Sequence, residues 1–449
     1  MICTSHPPLR RIDDFLHNRR CVLGLSALAQ SLRRTLKRLG LGAGVIAATV
    51  LPAALCCTTL VAADSYAPQR QASLQQMLKI TWKKGPDLPQ GLQDSSGGII
   101  NGKLISVAGF GQGQKDVPGK PDKYPRGFLK KIWGLDLSQP DVGWAADMPE
   151  FPGAARQGLF CAAVNEKLYC WGGVNYTKPF TYKDGYRLSK QDGHWVWDPL
   201  PDLPRLAAWP GICAVGSKIY VLGGADYDSE KFYTHADRAG KNERLGAQFL
   251  MIDTADLMSG WKRLADCPGT PRMTPALAAV DGKIFLSGGA SGDDDAAHPI
   301  YTTVVDNWKY DPTTNQWERL RDLPVASGNF PSGKIVYKNR YIILIGGFQY
   351  PLVENLDGSV RKPYGVPYKH YRFRDYFSDV WVYDTQSGLF GTATPLPLNN
   401  NTPMAVLDGS SLYLIGGETG GSVIEGESFG HHPDLFLVGT IEKTSESLP

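Results

Sequence analysis

The side chains of this chain that could do chemistry fall into two recurring sets, each placed near a glycine doublet or the connection that precedes it. Gln93 and Asp94, Arg156 and Gln157, Trp209, Arg272, Asn329 and Asn401 lie in connections that follow a proline-bounded turn. Asn175 and Tyr176, Asp226 and Tyr227, Asp293 to Asp295, Gln349 and Glu418 follow the doublets themselves. Carboxylates, amides, guanidinium groups and aromatic rings of this kind bind polar ligands and exchange protons. No nucleophile elbow, Walker loop or paired zinc-ligand motif accompanies them. Asp293-Asp294-Asp295 matches no calcium-loop spacing and reads as solvated loop acids. His431 and His432 are adjacent, and adjacent residues of a strand point to opposite faces, which argues against a shared metal. No cofactor is implied. The segment from Phe348 to Phe377 is long, aromatic and basic, suited to a lid or a contact surface, or to a merely ordered insertion.

The elements that must position these residues are short strands. Gly 50 and Pro 32 are spread as punctuation between apolar runs, which favours strands and turns over helices. A doublet after a β-branched or aromatic run occurs at Trp171-Gly172-Gly173, Leu222-Gly223-Gly224, Ser287-Gly288-Gly289, Ile345-Gly346-Gly347 and Ile415-Gly416-Gly417, with a degenerate Ala108-Gly109-Phe110 before them. Each doublet ends a hairpin with a polar or glycine-containing turn, such as Val280-Asp281-Gly282-Lys283-Ile284. An aromatic strand ending in Asp and a strand bearing Trp then follow, as in Trp308-Lys309-Tyr310-Asp311 with Trp317. The turns Asp87-Leu88-Pro89, Asp147-Met148-Pro149, Asp202-Leu203-Pro204, Asp266-Cys267-Pro268, Asp322-Leu323-Pro324 and Pro395-Leu396-Pro397 match the doublets one for one. Doublet, Tyr-Asp strand and Trp strand together resemble the Kelch motif, which implies an all-β, six-bladed β-propeller over residues 77–449. Leu78-Lys79-Ile80-Thr81-Trp82 has a fourth strand's Trp with no partners before it, and Leu435 to Ile441 has no Trp strand after it. The N-terminal strand is therefore expected to complete the last blade and remove the free edges.

Residues 1–63 read as a targeting segment and 64–76 as a linker. Arg33, Arg34, Lys37 and Arg38 precede an uncharged run from Leu39 to Val61, and Val61-Ala62-Ala63 offers small residues for cleavage. An uncleaved anchor is the alternative, although Pro52, Thr58 and Thr59 interrupt the run. Either way the rest of the chain is expected outside the cytoplasm, periplasmic or secreted, with no membrane contact once the segment is removed. That segment contributes +6 to a formal net charge of +3, which leaves the remainder near −3 and without the basic footprint of a nucleic-acid binder. It also carries Cys3, Cys21, Cys56 and Cys57, so Cys161, Cys170, Cys213 and Cys267 stay. A two-residue Asn165-Glu166 turn would set Cys161 opposite Cys170. The pair could be a cross-strand disulfide in an oxidising compartment or two buried thiols, and the strain of directly opposed pairs favours thiols.

In a four-stranded antiparallel meander, the loop between strands two and three and the connection to the next blade emerge on one face, where function is expected. An Arg or Asn there also has a structural use, pairing with backbone carbonyls. Galactose oxidase shares Kelch blades, but the few scattered histidines here do not suit copper oxidation. The chain resembles the exported six-bladed sialic acid mutarotases (N-acetylneuraminate epimerases), whose final doublet loop is similar to Gly416-Gly417-Glu418-Thr419-Gly420-Gly421. In the middle of the propeller the family has a Gly-Glu loop followed by Arg, where this chain has Gly289-Ala290-Ser291-Gly292 and three Asp. The resemblance implies anomer exchange by opening a cyclic hemiketal, with Glu418 as an acid-base group and Arg156 or Arg272 on the sugar carboxylate. Gln157, Trp209, Asn329, Asn401, Tyr176 and Asp226 would contact the sugar. The alternative is a non-catalytic Kelch module that binds a glycan or protein through the same loop face.

Overall fold

The computed structural model describes residues 74–111, 127–145, 148–227, 246–293, 300–328, 330–349, 375–419, 423–424, 427–428 and 432–444. The expected targeting segment and cleavage site, Asn329, Asp294, Asp295, His431 and residues 350–374 of the long loop lie outside them.

Most of the longer strands are about five residues long, and their patterning follows their depth. Tyr341–Ile345 is buried at every position and is apolar throughout, as expected of a strand covered on both faces. Hairpins close through left-handed turn residues such as Asp281 (φ 48) and Gly282 (φ 70), the backbone that a two-residue turn between twisted strands requires. The fold is all-β with only short 3₁₀ turns among the described residues, and its small sheets are arranged like the blades of a propeller.

Three sheets have four strands each, built from Phe160–Val164 to His194–Leu200, from Gly211–Val215 to Lys262–Arg263, and from Ala276–Val280 to Gln316–Leu320. Ser96–Ile100, Lys103–Val107 and Ile132–Asp136 form a three-stranded sheet, to which Ala145 adds one bridge at Gly134. The remaining long strands join in one eight-stranded sheet. Within it Gln76–Lys84 runs antiparallel to Phe436–Lys443, with Trp82 opposite Gly439, and touches Leu389–Ala393 in parallel over two residues.

Each doublet makes two backbone bonds, one within its own unit and one that ties it to the next. The first doublet residue donates to the carbonyl just before the third strand of its own unit, as Gly172 to Asp184, Gly288 to Asp306 and Gly346 to Asp379. The second donates to the following unit: Gly109 to Arg156, Gly173 to Ala207, Gly224 to Arg272, Gly289 to Ser327, Gly347 to Asn400, and Gly417 back to Leu92, at 2.8–3.0 Å. At the outer strands, Trp indoles make a parallel set of links. Trp144 donates to Pro86 O, Trp197 to Pro149 O and Trp317 to Ala265 O. Apolar clusters fill the space between neighbouring sheets, for example Phe160, Trp171, Ile212, Val221 and Ile252.

Lys334 opens the innermost strand Lys334–Tyr337, and its amine donates to the Pro331 carbonyl. Burial pushes that amine down to about 8, offset in part by the Cys213 thiol. The folded state therefore binds fewer protons than the unfolded state between about 8 and the ordinary lysine value, so stability rises with pH across that window. Lys334→Met is expected to raise Tm at pH 7, with a gain that shrinks as pH climbs above about 8. A gain independent of pH in calorimetric scans would contradict this assignment. A second expectation concerns the doublets. A Cβ on Gly223 would lie 2.4 Å from the Arg272 carbonyl, whereas one on Gly282 meets nothing within 4 Å. Gly223→Ala should cost about 3 kcal/mol and Gly282→Ala about 1 kcal/mol in urea unfolding.

Candidate functional site

Two candidate arginines serve the scaffold. The Arg156 guanidinium is 1 % exposed and pairs with both carboxylate oxygens of Asp184, with Nη1–Oδ1 at 2.6 Å and Nη2–Oδ2 at 3.0 Å. Its Nε donates to Ala154 O and Nη1 also to Gly172 O. Tyr182 lies against it, 3.8 Å from Cζ to ring centroid. Arg272 repeats the arrangement one unit pair further on: Nε to Thr270 O, Nη1 to Gly288 O, and Nη2 to Asp306 Oδ2 at 2.6 Å. Burial alone would raise the Asp306 carboxyl, but Arg272 and the Trp308 indole outweigh it and hold the group below its ordinary value. Both arginines expected on a sugar carboxylate are thus engaged within the protein. Each fork is already filled by an aspartate and a doublet carbonyl, and prising it open would strand a buried charge.

The other candidates lie along one repeated stretch. At each of the six doublets a connection residue bridges the residue that follows: Gln93 with Phe110, Gln157 with Val174, Ala208 with Ala225, Met273 with Ala290, Gly328 with Phe348, and Asn401 with Glu418. The next residue along is left-handed at Asp94 (φ 52), Gly158 (φ 63), Trp209 (φ 51), Thr274 (φ 57) and Thr402 (φ 56). These residues are joined in series, Gly158 N–H to Asp94 O, Trp209 N–H to Gly158 O, and Thr274 N–H to Trp209 O. Asp94, Ser95, Gly158, Leu159, Trp209, Pro331, Ser332, Thr402 and Pro403 line one small pocket where the innermost strands of several units meet.

Around that pocket the chemistry is uneven. Asn401, 1 % exposed, directs Nδ2 toward Glu418 Oε2 at 3.3 Å, and the half-buried Glu418 backbone is pinned to Asn401 in both directions. Gln157 Nε2 reaches the Tyr176 hydroxyl at 3.4 Å, and Tyr176 is 56 % exposed with its ring against Phe128 and Phe110. Trp209 packs edge-on to Tyr227, centroids 5.6 Å apart, with its indole over Gly158. Asp226 is half-buried near Arg205 and raises that guanidinium, though burial dominates and lowers it. Arg156 and Arg272 thus belong to the scaffold, Trp209 lines the pocket, and the Asn401–Glu418 and Gln157–Tyr176 pairs stand on bridges one residue from it. Thr402, Ser95 and Ser332 were missed by motif reading. The signal that finds the left-handed position is a count of fourteen residues back from the first doublet residue, which gives Asp94, Gly158, Trp209, Thr274 and Thr402. No cluster of three or more metal-ligating side chains occurs among the described residues.

Sheets of this size joined by doublet bonds, with polar loops gathered over a shared pocket, define a Kelch-repeat, propeller-like protein. Comparison with known proteins sharpens the class. A family model for N-acetylneuraminate epimerase matches residues 240–421. N-acetylneuraminate epimerase of Haemophilus influenzae (strain 86-028NP) is 25% identical over 365 residues, covering 75% of this chain and 88% of that protein. The epimerase of Pasteurella multocida (strain Pm70) is 25% identical over 362 residues, with the same coverage. A Kelch domain-containing protein of Vibrio cholerae is 30% identical over 118 residues, 26% of this chain and 32% of its own length. The solved structure of YjhT superposes with a TM-score of 0.54 at 16% identity, covering 80% of this chain and 99% of that one, a likeness of fold. The chain resembles the N-acetylneuraminate epimerase family.

The scaffold role of Arg272 is testable. Arg272→Met should lower stability by about 3–5 kcal/mol, because it leaves Asp306 buried without its cation. The depressed Asp306 carboxyl stabilises the fold above the ordinary carboxylate range, and that contribution is lost as pH falls. The penalty measured by urea unfolding at pH 7 should therefore shrink in acid; an unchanged Cm at pH 7 would return Arg272 to the list of ligand-binding residues.

Proposed function

We propose that this chain is an exported, six-bladed Kelch propeller that catalyses anomer exchange of a sialic acid-like sugar on its loop face. Six doublets and six cross-unit bonds, the last of them the return bond from Gly417 to Leu92, support the six-blade count. Pairing of Gln76–Lys84 with Phe436–Lys443 supports closure by the N-terminal strand, the eight-stranded sheet being two blades touching along Leu389–Ala393. Export rests on the basic cluster and uncharged run ahead of residue 64.

The observation that carries the catalytic reading is the Asn401–Glu418 pair, a carboxylate oriented by a buried amide one residue from the left-handed Thr402. Threonines with positive φ cost about 1–3 kcal/mol each, and such strain collects where a ligand needs groups in fixed positions. In the proposed reaction Glu418 takes the proton of the anomeric hydroxyl as the bond from the anomeric carbon to the ring oxygen breaks. Water gives the departing ring oxygen its proton, and Glu418 releases the proton it took to solvent, giving the open keto form. Rotation about the freed carbon and reversal of these steps yields the other anomer. Gln157, Tyr176, Trp209, Asn401 and Asp226 supply hydroxyl, amide and ring-stacking contacts, Trp209 from the pocket wall.

One-dimensional proton NMR of freshly dissolved N-acetylneuraminate should show anomers equilibrating faster than in buffer, and Glu418→Gln should reduce the enzymatic rate by 10²-fold or more. Equal rates with and without protein, across sialic acids and other reducing sugars, would reject catalysis and leave a glycan- or protein-binding module.

A further inference from the structure

Cys161 and Cys170 stand directly opposite each other on Phe160–Val164 and Lys167–Trp171, joined by the left-handed turn Asn165 (φ 48) and Glu166 (φ 55). In a two-residue hairpin the pair flanking the turn, here Val164 and Lys167, is hydrogen-bonded, and pairs then alternate. Cys161 and Cys170 are three pairs further on and so form a pair without mutual backbone bonds, the kind in which side chains come closest. The Cys161 N–H agrees with this, since it turns away from its partner and donates to Ser96 Oγ of the preceding unit at 3.0 Å. The Sγ atoms of the two thiols face each other at 2.6 Å in a site with 8 % and 0 % exposure. Cys213 and Cys267 belong to other units.

We propose that Cys161 and Cys170 are a redox-closable pair, joined by a disulfide when the chain folds against a disulfide oxidant and left as two thiols when it folds under reductant. Closure begins when the thiolate of one cysteine attacks the oxidant's disulfide, forming a mixed disulfide and releasing one thiol. The second thiolate then attacks the protein sulfur of that bond, forms the Cys161–Cys170 bond and releases the other thiol. The two protein thiols lose two protons and two electrons, which the oxidant carries away as two thiols. Timing follows from packing. Once Phe160 and Trp171 are buried, no thiol reagent reaches the sulfurs, and burial pushes the Cys170 thiol well up, so the attacking thiolate is scarce. The state of the pair is therefore set during folding and held afterwards.

The test uses the full chain, refolded in a buffer of oxidised and reduced glutathione or in dithiothreitol, then unfolded in guanidinium chloride containing the alkylating reagent and digested with trypsin without reduction. Cleavage after Lys167 separates the two cysteines, so closure reads as a linked pair of peptides about 2 Da lighter than their sum. The proposal expects that pair in most chains refolded with glutathione, its absence from chains refolded in dithiothreitol, and its loss in Cys170→Ser. Recovery of both peptides alkylated and unlinked from the glutathione sample, or of either cysteine linked elsewhere, overturns it. Incubating native reduced protein with oxidised glutathione should close the pair at least tenfold more slowly than refolding does. Comparable rates would overturn the claim that folding sets the state.

Discussion

The bond from the second residue of each glycine doublet to a carbonyl of the next unit is the constraint on which the rest of the structure depends. A four-stranded unit cannot shield both of its faces, so neighbouring sheets must lie close enough to bury Phe160, Ile212 and Val221 between them. That approach brings backbone against backbone at the end of the second strand. Only a residue with positive φ and no Cβ directs its N–H across the gap while tolerating a carbonyl at contact distance, as Gly224 does in donating to Arg272 O with Ala208 O 3.0 Å from where a Cβ would lie. Pairs of glycines, and not single ones, recur because the first must turn its own N–H back to the third strand.

The same junction explains why two arginines that read as ligand groups in the sequence are buried in ion pairs. The carbonyls of Gly172 and Gly288 point into the space between sheets, where no strand can pair with them. A guanidinium filling that space satisfies the carbonyl and needs a counter-charge, which Asp184 and Asp306 provide at the entrance of the third strand. Each arginine is thus tied to the doublet that defines its unit, and its charge is balanced locally.

How much of this was legible in the sequence depended on distance along the chain. Doublets, proline-bounded turns and the opposition of Cys161 and Cys170 rest on contacts between near neighbours, and motif and period expose them. The commitment of Arg156 depends on Asp184, 28 residues away, and that of Arg272 on Asp306, 34 away, across loops of unequal length with no common spacing. Hence Arg156 and Gln157, adjacent and both polar, read alike in the sequence although one is part of the frame and the other reaches Tyr176 at the surface. The left-handed positions were hidden for another reason. Threonine and tryptophan are poor left-handed residues, so Thr274, Thr402 and Trp209 gave no local hint of a conformation that the surrounding bonds impose.

Repetition also shows where the frame departs from itself. The slot that Arg156 and Arg272 fill holds Asn400 in the last unit, and its shorter side chain still meets the doublet carbonyl, Nδ2 to Gly416 O at 2.9 Å. An amide cannot span onward to an aspartate as a guanidinium does, so this junction carries no ion pair through that slot. The neighbouring Asn401 turns its own amide toward Glu418, the carboxylate that follows the same doublet. In the second and fourth units the corresponding residues are Val174 and Ala290, which carry no ionisable group. Charge has therefore shifted in this unit from between the sheets to the loop face, where it is half-exposed and within reach of a ligand. A repeat fold gains a site most simply in this way, by relieving one unit of its structural charge and placing a carboxylate where the others present an apolar side chain.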